Sequence, residues 1–467
     1  MYKEKFSAYL DSCREQMVED VRTLVRIPSL ESEAKPGMPY GEENYKVLCT
    51  AMEMAEKMGF RVRNFGNKVM TAELNDNEAN LGIIAHLDIV DAGIGWDYPP
   101  YDVTIVDDVM YGRGTADNKG PVIAALYAMK AVKELGPELS GNVRLILGTA
   151  EETGCHDLDY YATQEAIPPM SFSPDADYPV IHAEKGMHMP KFRAAWEKTD
   201  VLPRVTAIAG GTIHNAVPQI ADATVAGMTA AEAAETAKAV EAETGIAFEL
   251  KDENGTLCIH ASGCAAHVCE PWKGNNAQTA LIALLAKLPL ADCGSTKAVR
   301  DLAECFPHGD FAGNSFGVAQ ADELTGELAL SFSVLSMDET GFDAQYDCRC
   351  PMCATEENMA QPACAKLREK GFEIYEGEAL MAGHYTDPES TICKTLNRVY
   401  EDYTGLPGGC VAIGGFTYVH RVEGGVAFGC ALPGAEPHFH TANERFPIAD
   451  MMISAKMFAQ AIVDICK

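Results

Sequence analysis

The 467-residue sequence has no continuous apolar run of the roughly 20 residues that a membrane-spanning helix needs. Its N-terminal segment, MYKEKFSAYLDSCREQMVEDVRTL, is charged and amphipathic and lacks the apolar centre of a signal peptide. Basic residues are few, 37 Lys and Arg against 68 Asp and Glu, which gives a formal net charge of −31. We therefore expect neither a membrane protein nor a partner of nucleic acid or anionic membranes.

Cysteine and acidic residues, by contrast, are plentiful. Sixteen cysteines without an export signal indicate free thiols in a reducing compartment, so we expect a cytoplasmic protein. The acidic excess would attract cations, including divalent metals. Because the chain is longer than the roughly 250–300 residues at which one hydrophobic core stops growing, we expect at least two domains.

Hydrophobic periodicity divides the chain into three blocks. Residues 1–186 alternate helical patterns with short apolar runs such as NLGIIAHLDIV and NVRLILGTA, which are typical of strands buried on both faces. Residues 187–382 are richer in Ala and Thr and have the pattern of an α+β unit, whereas residues 383–467 return to the first pattern. The prediction is an α/β protein in which one domain, 187–382, is inserted into another formed by 1–186 and 383–467.

Acidic and imidazole side chains follow the predicted strands. His86 and Asp88 lie two residues apart and therefore on one face of an extended segment, and Glu151 and Glu152 follow NVRLILGT directly. Neighbouring side chains of extended backbone point to opposite faces, so we expect the two glutamates to have different functions. Open α/β sheets place their sites at the carboxyl ends of strands, although an ordinary surface His–Asp pair is the plainer interpretation of His86 and Asp88 alone.

Three further segments carry the same residue types. Asp117 begins the helical pattern DNKGPVIAALYAMKAVKELG, where helix N-capping is the plainer interpretation. Asp175 and Asp177 in SPDADYPVIHAEKG are both candidate ligands, and His438 and His440 alternate in PGAEPHFHTANE, which we interpret as extended. Several carboxylate and imidazole groups at successive strand ends together predict a site for two metal ions.

Six segments in order resemble the M20 metallopeptidase family: HLDIVDAGIGW, YGRGTADNKGP, GTAEETG, SPDADYPVIHAEKG, GCAAHVCEPWKGNNA and HFHTANE. The likeness covers nearly the whole chain and is greatest to its PepV-like and carnosinase-like dipeptidase branch. It implies a catalytic α/β/α domain with an inserted α+β lid, and hydrolysis of a dipeptide with a free amino terminus (Xaa-Xaa or β-Ala-Xaa) by a water that bridges two divalent metal ions. We expect zinc, with manganese or cobalt as alternatives. The expected partner is a small peptide substrate, and the expected state is a monomer.

The resemblance also implies roles for the candidate residues. The implied metal ligands are Asp117, which would bridge both ions, His86 and Asp175 on one ion, and Glu152 and His440 on the other. Glu151 would be the general base that takes a proton from the bridging water and delivers it to the leaving amine. Asp88 would orient the neighbouring histidine. Asp177 and His438 would be structural.

Further positions match substrate-binding segments of the family. His267 in GCAAHVCEP matches a lid histidine that would stabilise the tetrahedral oxyanion, and Asn215 in GGTIHNAVP matches a contact with the substrate backbone. Arg349 in QYDCRCP matches an arginine that would pair a substrate carboxylate bidentately, with an ordinary strand arginine as the alternative. The backbone N–H groups of Gly414 and Gly415 in AIGGFTYVH would hold the same carboxylate.

The sequence departs from the family pattern at four positions. Asn118 stands where the family has a second aspartate, and Ala150 stands where an Asp usually precedes the glutamate pair. Cys264 replaces a lysine of the lid, and His420 replaces an arginine of the glycine-rich turn. The last two changes concern substrate specificity more than metal binding.

Two alternative functions remain open. The same metal core cleaves N-acyl amides, so an N-acyl-amino-acid deacylase is one alternative, and a catalytically inactive metal-binding homologue is the other. A structural zinc site at Cys350 and Cys353 is disfavoured, because it needs a second pair of ligands to complete a tetrahedron.

Overall fold

The computed structural model describes residues 2–467, which form two compact units. The first unit combines the chain up to Glu184 with His384–Lys467, and the second comprises Lys185–Gly383. Each unit pairs a nine-stranded sheet with helices, so the predicted α/β fold class is confirmed. The predicted limits at 186/187 and 382/383 stay a prediction of where folding domains begin and end.

Ten α-helices lie within the described residues. They are α1 (Tyr2–Val25), α2 (Glu42–Lys57), α3 (Lys119–Leu135), α4 (His156–Gln164), α5 (Ala230–Thr244), α6 (Ala277–Lys287), α7 (Gly294–Cys305), α8 (Gln361–Glu369), α9 (Thr391–Thr404) and α10 (Ile448–Cys466). Along the same part of the chain, no helix is long and apolar enough to cross a membrane.

The strands of the first unit and those of the second are numbered together along the chain. They are β1 (Arg61–Phe65), β2 (Val69–Glu73), β3 (Ala79–His86), β4 (Thr104–Val106), β5 (Val109–Tyr111), β6 (Asn142–Gly148), β7 (Met170–Ser173), β8 (Ala176–Asp177), β9 (Val180–Glu184), β10 (Gly186–His188), β11 (Lys191–Ala195), β12 (Arg204–Gly210), β13 (Ile220–Ala226), β14 (Ala247–Glu253), β15 (Thr256–Ser262), β16 (Ala321–Asp322), β17 (Gly326–Glu327), β18 (Ala329–Met337), β19 (Gly341–Cys350), β20 (Glu373–Glu376), β21 (His384–Tyr385), β22 (Cys410–Ile413), β23 (Val426–Ala427), β24 (Cys430–Ala431) and β25 (Arg445–Pro447).

The main sheet of the first unit has the strand order β1-β2-β6-β3-β7-β23-β9-β21, with β22 paired to β9. At its centre β6, β3 and β7 run parallel, so their carboxyl ends meet at one edge. Ile83 and Leu145 face the large core beneath α1, α3 and α10, whereas Ile84 and Ile146 face a smaller core that includes Tyr161 of α4. The sheet is therefore buried on both faces, as the continuous apolar runs predicted, and each such side chain contributes about 1.5–3 kcal/mol by its burial.

The main sheet of the second unit is antiparallel, with the order β14-β15-β13-β12-β18-β19-β11-β20 and β10 paired to β19. Tyr346, Cys348 and Cys350 of β19 pack into the core of this unit. Because side chains alternate along a strand, Asp347 and Arg349 belong to the opposite face of the sheet. Strand alternation thus places a charged pair on the face away from the core.

Candidate metal centre

Three parallel strands bring candidate ligands to one edge of the first unit's sheet. Strand β3 ends at His86, β6 ends three residues before Glu151, and β7 ends two residues before Asp175. Asp117 lies just before α3, and His440 lies in the loop that leads to β25. All five belong to one compact unit although they are up to 354 residues apart in sequence (440 − 86).

Asp117 lies between the two histidines. Its Oδ1 is 2.9 Å from His86 Nε2, and its Oδ2 is 3.0 Å from His440 Nε2. His86 Nε2 is also 3.4 Å from Asp175 Oδ2, and His440 Nε2 is 3.1 Å from Glu152 Oε2. Each imidazole therefore faces one shared and one separate carboxylate, which is an arrangement that suits a carboxylate bridging two ions.

Two groups of donor atoms in this cluster are compact enough to hold a cation. The ligand atoms of His86, Glu151 and Asp175 lie within 4.8 Å of one another, and so do those of His86, Asp117 and Glu152. Glu151 thus lies as close to the candidate ion positions as the predicted ligands do. Distance alone does not separate its predicted function as a base from that of a ligand.

Two buried atoms of the cluster lack a hydrogen-bond partner within residues 2–467. These are His86 Nε2, whose close approach to Asp117 lacks hydrogen-bond geometry, and Glu151 Oε1. Buried polar atoms in native proteins are nearly always paired. A divalent cation would satisfy both atoms, and a mixed carboxylate and imidazole donor set is suitable for one.

Burial raises the pKa of the three carboxyl groups nearest to the candidate ion positions, Glu151, Glu152 and Asp175. Mutual repulsion adds to the shift at Glu151, where the charges of Asp175 and Glu152 act in the same direction as burial. The cationic groups of the protein therefore do not fully neutralise the negative charge of this cluster. Bound cations would remove that excess.

The histidines and the carboxylate between them shift in the way expected of ion pairs. Burial lowers the pKa of His86 and of His440, but the facing carboxylates outweigh it and the net shift is upward. For Asp117 burial acts to raise the pKa, yet the hydrogen bond from His440 and the charges of the two imidazoles lower it overall. The charge pattern thus favours an ionised carboxylate at the centre of the cluster.

The segment that carries His440 is not extended, so that interpretation of PGAEPHFHTANE is wrong. His438 and His440 both have φ of 57°, in the left-handed region that residues other than glycine seldom adopt. Hydrogen bonds from Thr441 N to His438 O and from Arg445 N to Pro437 O close the segment into a turn. Such backbone is concentrated at functional sites, where surrounding contacts hold it in place.

Helix capping does not explain Asp117 either. Helix α3 begins at Lys119 after Asn118, whose side chain makes no capping hydrogen bond. Instead, Asn118 Nδ2 donates to Asp175 Oδ1 at 2.9 Å and to Pro174 O at 2.9 Å. An ionised aspartate at this position could not donate these bonds. The departure from the family pattern therefore lets Asn118 hold Asp175, a candidate ligand, by a hydrogen bond.

Asp88 is buried and holds the turn that carries the two glutamates. Its carboxylate accepts the backbone N–H of Glu151 at 3.2 Å and that of Glu152 at 3.0 Å. His86 Nδ1 lies 3.1 Å from the backbone oxygen of Asp88 and 3.4 Å from Oδ1 of its carboxylate. The carbonyl is thus the nearer partner of the imidazole, and a proton on Nδ1 would leave Nε2 free to bind metal.

Glu444 is a buried residue of the site that sequence reasoning missed. Its Oε1 accepts the backbone N–H groups of Gly114, Ala116 and Asp117 at 3.0, 2.9 and 3.1 Å, and its Oε2 accepts from Arg113 Nη1 at 2.6 Å. The loop that presents the bridging candidate is therefore held by this carboxylate. The signal available in the sequence was its place in HTANE, four residues after a predicted ligand.

Arg349 of the second unit is paired within its own unit. Its Nε donates to Asp347 Oδ1 at 2.8 Å and its Nη2 to Asp347 Oδ2 at 3.0 Å, while His214 Nδ1 lies 3.2 Å from the same Oδ2. The guanidinium edge formed by Nε and Nη2 is thus engaged by Asp347, which is buried and which sequence reasoning also missed. The charge of Arg349 lowers the pKa of this carboxyl group in opposition to burial.

Asn215 and His267 are neighbours in the second unit. The N–H of Val268 donates to Asn215 O at 3.2 Å, and the N–H of Cys269 donates to His267 Nδ1 at 3.3 Å. Because Nδ1 accepts a hydrogen bond, a neutral His267 carries its proton on Nε2. That tautomer is the one that can donate to a developing oxyanion.

The remaining predicted positions are divided between the units. Gly414 and Gly415 follow β22 in the first unit, and the departure at His420 places its buried Nδ1 3.1 Å from Glu184 Oε2. In the second unit Cys264 is exposed, in the same loop as the candidate oxyanion histidine. Among residues 2–467 no cysteine joins a group of side chains compact enough to hold a metal.

Comparison with known proteins agrees with the site. A model of Peptidase family M20/M25/M40 matches residues 82–464. The protein named "Putative dipeptidase YtjP" of Bacillus subtilis (strain 168) is 32% identical over 97% of this chain and 98% of its own. The Beta-Ala-Xaa dipeptidase of Lactobacillus delbrueckii subsp. lactis is 31% identical over 99% of this chain and 98% of its own.

Solved structures share the fold at low sequence identity. Human carnosine dipeptidase 1 matches with a TM-score of 0.62 at 14% identity, over 99% of both chains. The dipeptidase Dug1p from Saccharomyces cerevisiae matches with a TM-score of 0.61 at 13% identity, over 99% of this chain and 98% of its own. Together with the family match, these findings confirm the predicted family and reaction class: the chain belongs to peptidase family M20/M25/M40 and is a peptide-bond hydrolase.

Proposed function

We propose that this protein is a metal-dependent dipeptidase that hydrolyses dipeptides with a free amino terminus, of the Xaa-Xaa or β-Ala-Xaa type. The observation that carries the proposal is the cluster of five candidate ligands, two of which, His86 and Asp175, have ligand atoms within 4.8 Å of one on Glu151. Oε1 of Glu151 is buried without a hydrogen-bond partner among the described residues. Relatives named as dipeptidases, one of them a Beta-Ala-Xaa dipeptidase, support the substrate class.

The proposed metal ligands are those that the sequence predicted: Asp117 for both ions, His86 and Asp175 for one ion, and Glu152 and His440 for the other. Zinc is the proposed metal, because it accepts imidazole and carboxylate ligands together, and manganese and cobalt are the alternatives. When bound, the two ions would lower the pKa of a water molecule and polarise the carbonyl of the scissile peptide bond.

Glu151 is proposed to move the proton. Its Oε1 would accept a proton from the attacking water and then deliver it to the leaving amine, which requires a carboxylate not fully engaged elsewhere. Burial raises its pKa, which brings the group closer to the range in which it can both accept and return a proton. Asp88 fixes the backbone of this residue through its N–H group.

Further residues are proposed to bind the substrate. His267 would donate from Nε2 to the oxyanion, and Asn215 would contact the substrate backbone. Arg349, together with the backbone N–H groups of Gly414 and Gly415, would bind the free carboxylate of the dipeptide. The bond from the N–H of Cys269 to His267 Nδ1 supports the first assignment.

Initial rates on matched substrates test this function. Carnosine, alanyl-leucine and N-acetyl-leucine would each be incubated with Zn²⁺ or Mn²⁺, and in parallel with a chelator. We expect metal-dependent cleavage of one or both dipeptides and none of the acetylated amino acid. Cleavage of N-acetyl-leucine alone would instead assign a deacylase, and no cleavage of any of them would favour the inactive homologue.

Three narrower predictions accompany the proposal. Metal analysis of the purified protein tests zinc, and native mass spectrometry tests the monomeric state. Cell fractionation tests the cytoplasmic location. A dimer in native mass spectrometry would contradict the predicted monomer. Manganese or cobalt in the purified protein would replace zinc as the proposed metal.

A further inference from the structure

We infer that Asp157 and Tyr418 position the turn that carries Glu151 and Glu152, and that they link this turn to the segment that follows Gly414 and Gly415. The inference rests on the proposed function, because positioning is meant with respect to the catalytic glutamate. Sequence reasoning gave neither residue a role, although Tyr418 lies in the AIGGFTYVH segment. All the contacts concerned lie within the first unit.

Four consecutive backbone N–H groups, those of residues 149–152, donate to two buried carboxylates. Asp88 accepts from Glu151 and Glu152, as described above. Asp157 Oδ2 accepts from Thr149 N at 2.5 Å and from Ala150 N at 2.8 Å. The conformation of the glutamate turn is therefore set by two side chains, of which only one belongs to the family motifs.

Tyr418 provides a further hydrogen bond to Asp157. Its hydroxyl donates to Asp157 Oδ2 at 2.5 Å, while Asp157 Oδ1 accepts from Leu158 N at 2.7 Å. Both side chains are fully buried. Burial raises the pKa of Asp157 to about 6, and the hydrogen bonds from Tyr418, Ala150 and Leu158 act against that shift. Four donors to one carboxyl group favour its ionised form.

Gly148 gives independent evidence of how closely these groups approach the turn. A Cβ built on this glycine would lie 2.0 Å from the Tyr418 hydroxyl and 2.2 Å from Asp157 Oδ2. The last residue of β6 therefore has to be glycine for the tyrosine and the carboxylate to reach the backbone of the following turn. Close packing of this kind transmits small displacements, because a dense interior cannot absorb them.

The other end of the Tyr418 segment is held by Glu184. Thr417 Oγ1 donates to Glu184 Oε1 at 2.7 Å, Thr417 N donates to Oε2 at 3.3 Å, and His420 Nδ1 lies 3.1 Å from Oε2. Residues 417–420 are thus fixed at two buried carboxylates, directly after the glycines proposed to bind the substrate carboxylate. A ligand that moves those glycines would act on the glutamate turn through Tyr418 and Asp157.

The test compares Tyr418→Phe with Tyr127→Phe. Tyr127 is a matched control, because it is also buried and its hydroxyl donates to a carboxylate, Asp20 Oδ2, at 2.8 Å, within the packing of α1 against α3. Hydrogen exchange of the peptide that spans residues 149–152 is measured first, since it requires no activity. We expect Tyr418→Phe to speed this exchange about three- to tenfold and Tyr127→Phe to leave it unchanged.

Steady-state kinetics on the dipeptide that the wild type cleaves give the second readout. Tyr418→Phe should lower kcat about three- to tenfold and displace the acidic limb of its pH profile, which reports the general base, whereas KM changes little. Tyr127→Phe should alter neither. A second variant, Asp157→Asn, should act in the same direction as Tyr418→Phe. If Asp157→Asn does not fold, Tyr418→Phe still decides the question.

Equal exchange of the 149–152 peptide in Tyr418→Phe and Tyr127→Phe would overturn the inference. Faster exchange with unchanged kcat and pH profile would also overturn it, because the link would then support the fold without affecting catalysis. A wild-type protein that cleaves no dipeptide would contradict the proposed function but would leave the exchange comparison intact, so the two failures are distinguishable.

Discussion

The two units of this protein differ in how completely the charges of one buried cluster in each are neutralised. In the first unit the carboxylates around His86 and His440 outnumber the cationic groups that face them, and Glu151 Oε1 has no hydrogen-bond partner among residues 2–467. In the second unit Arg349 is neutralised by a bidentate bond to Asp347. An incompletely neutralised buried cluster is costly unless a ligand completes it, whereas a completed pair persists without one. The difference indicates where an ion belongs.

The architecture of the sheets explains how each arrangement arises. Parallel strands β6, β3 and β7 end at a common edge, so side chains from distant parts of the sequence meet there. The antiparallel strand β19 instead separates a charged face from an apolar face by simple alternation. The first arrangement depends on topology and the second on periodicity.

The largest effect should come from Glu151. Glu151→Gln should lower kcat by roughly 10²–10⁴-fold, because an amide cannot accept the proton, while metal content stays near that of the wild type. Rates and metal analysis on the same preparation measure both. The neighbouring Glu152→Gln is the control and should lose metal. Near-normal turnover in Glu151→Gln would refute the assignment of the base.

A smaller effect should follow from disturbing the loop that carries Asp117, which Glu444 holds by hydrogen bonds. Glu444→Gln should weaken metal binding by about 10–100-fold, because its amide would face either Arg113 or the three backbone N–H groups that the carboxylate now accepts. Competition with a chromophoric chelator measures the affinity. Glu436→Gln, an exposed change in the loop before β25, should have no effect. Equal metal affinities in the two variants would show that Glu444 does not support metal binding.

In the second unit, breaking the ion pair of Arg349 and Asp347 should weaken substrate binding but not metal binding. Asp347→Asn should raise KM roughly tenfold for dipeptides with a free carboxylate, because the lost charge no longer holds the guanidinium of Arg349. C-terminally amidated dipeptides should show no such change. Asp343→Asn, an exposed position on the same strand, is the control. If KM rises equally for both kinds of substrate, the carboxylate-binding function of Arg349 is wrong.

The smallest effect concerns stability and is expected in one unit only. Removing metal should speed hydrogen exchange in β3, β6 and β7 and lower the unfolding midpoint by a few degrees, whereas the second unit should be unaffected. Raised pKa values at Glu151, Glu152 and Asp175 give stability that is present at low pH and lost as pH rises through them. The raised histidines act in the same direction.

The contribution of this cluster to the stability of the metal-free protein should therefore fall as pH rises above the ordinary pKa values of its groups, 4.5 for glutamate and 6.5 for histidine. The lowered pKa of Asp117 has the opposite sign, but its contribution is lost only at acid pH, below those values. Thermal unfolding as pH rises through those values, with and without Zn²⁺, measures the effect. Stability that rises with pH in the chelated protein would contradict the charge balance assigned to the cluster.

Several features of this site could be predicted from the sequence. Apolar runs that end on His86 and on the glutamate pair indicated buried strands with ligands at their carboxyl ends, because burial on both faces leaves a continuous apolar pattern. Other features could not be predicted. The turn at His440 was interpreted as extended, since alternation of His438 and His440 resembles a strand and nothing local signals a left-handed histidine.

By itself the sequence determined the chemistry that is available: the strands, the residue types at their ends and the family to which these segments belong. Only the tertiary structure decided which groups hold the candidate metal ligands in place. Glu444 accepts a hydrogen bond from the backbone of Asp117, 327 residues earlier in the sequence. Tyr418 donates one to Asp157, 261 residues earlier. Such contacts leave no local pattern, because a single buried acid or tyrosine in the sequence looks the same whether it packs, caps or positions a catalytic turn.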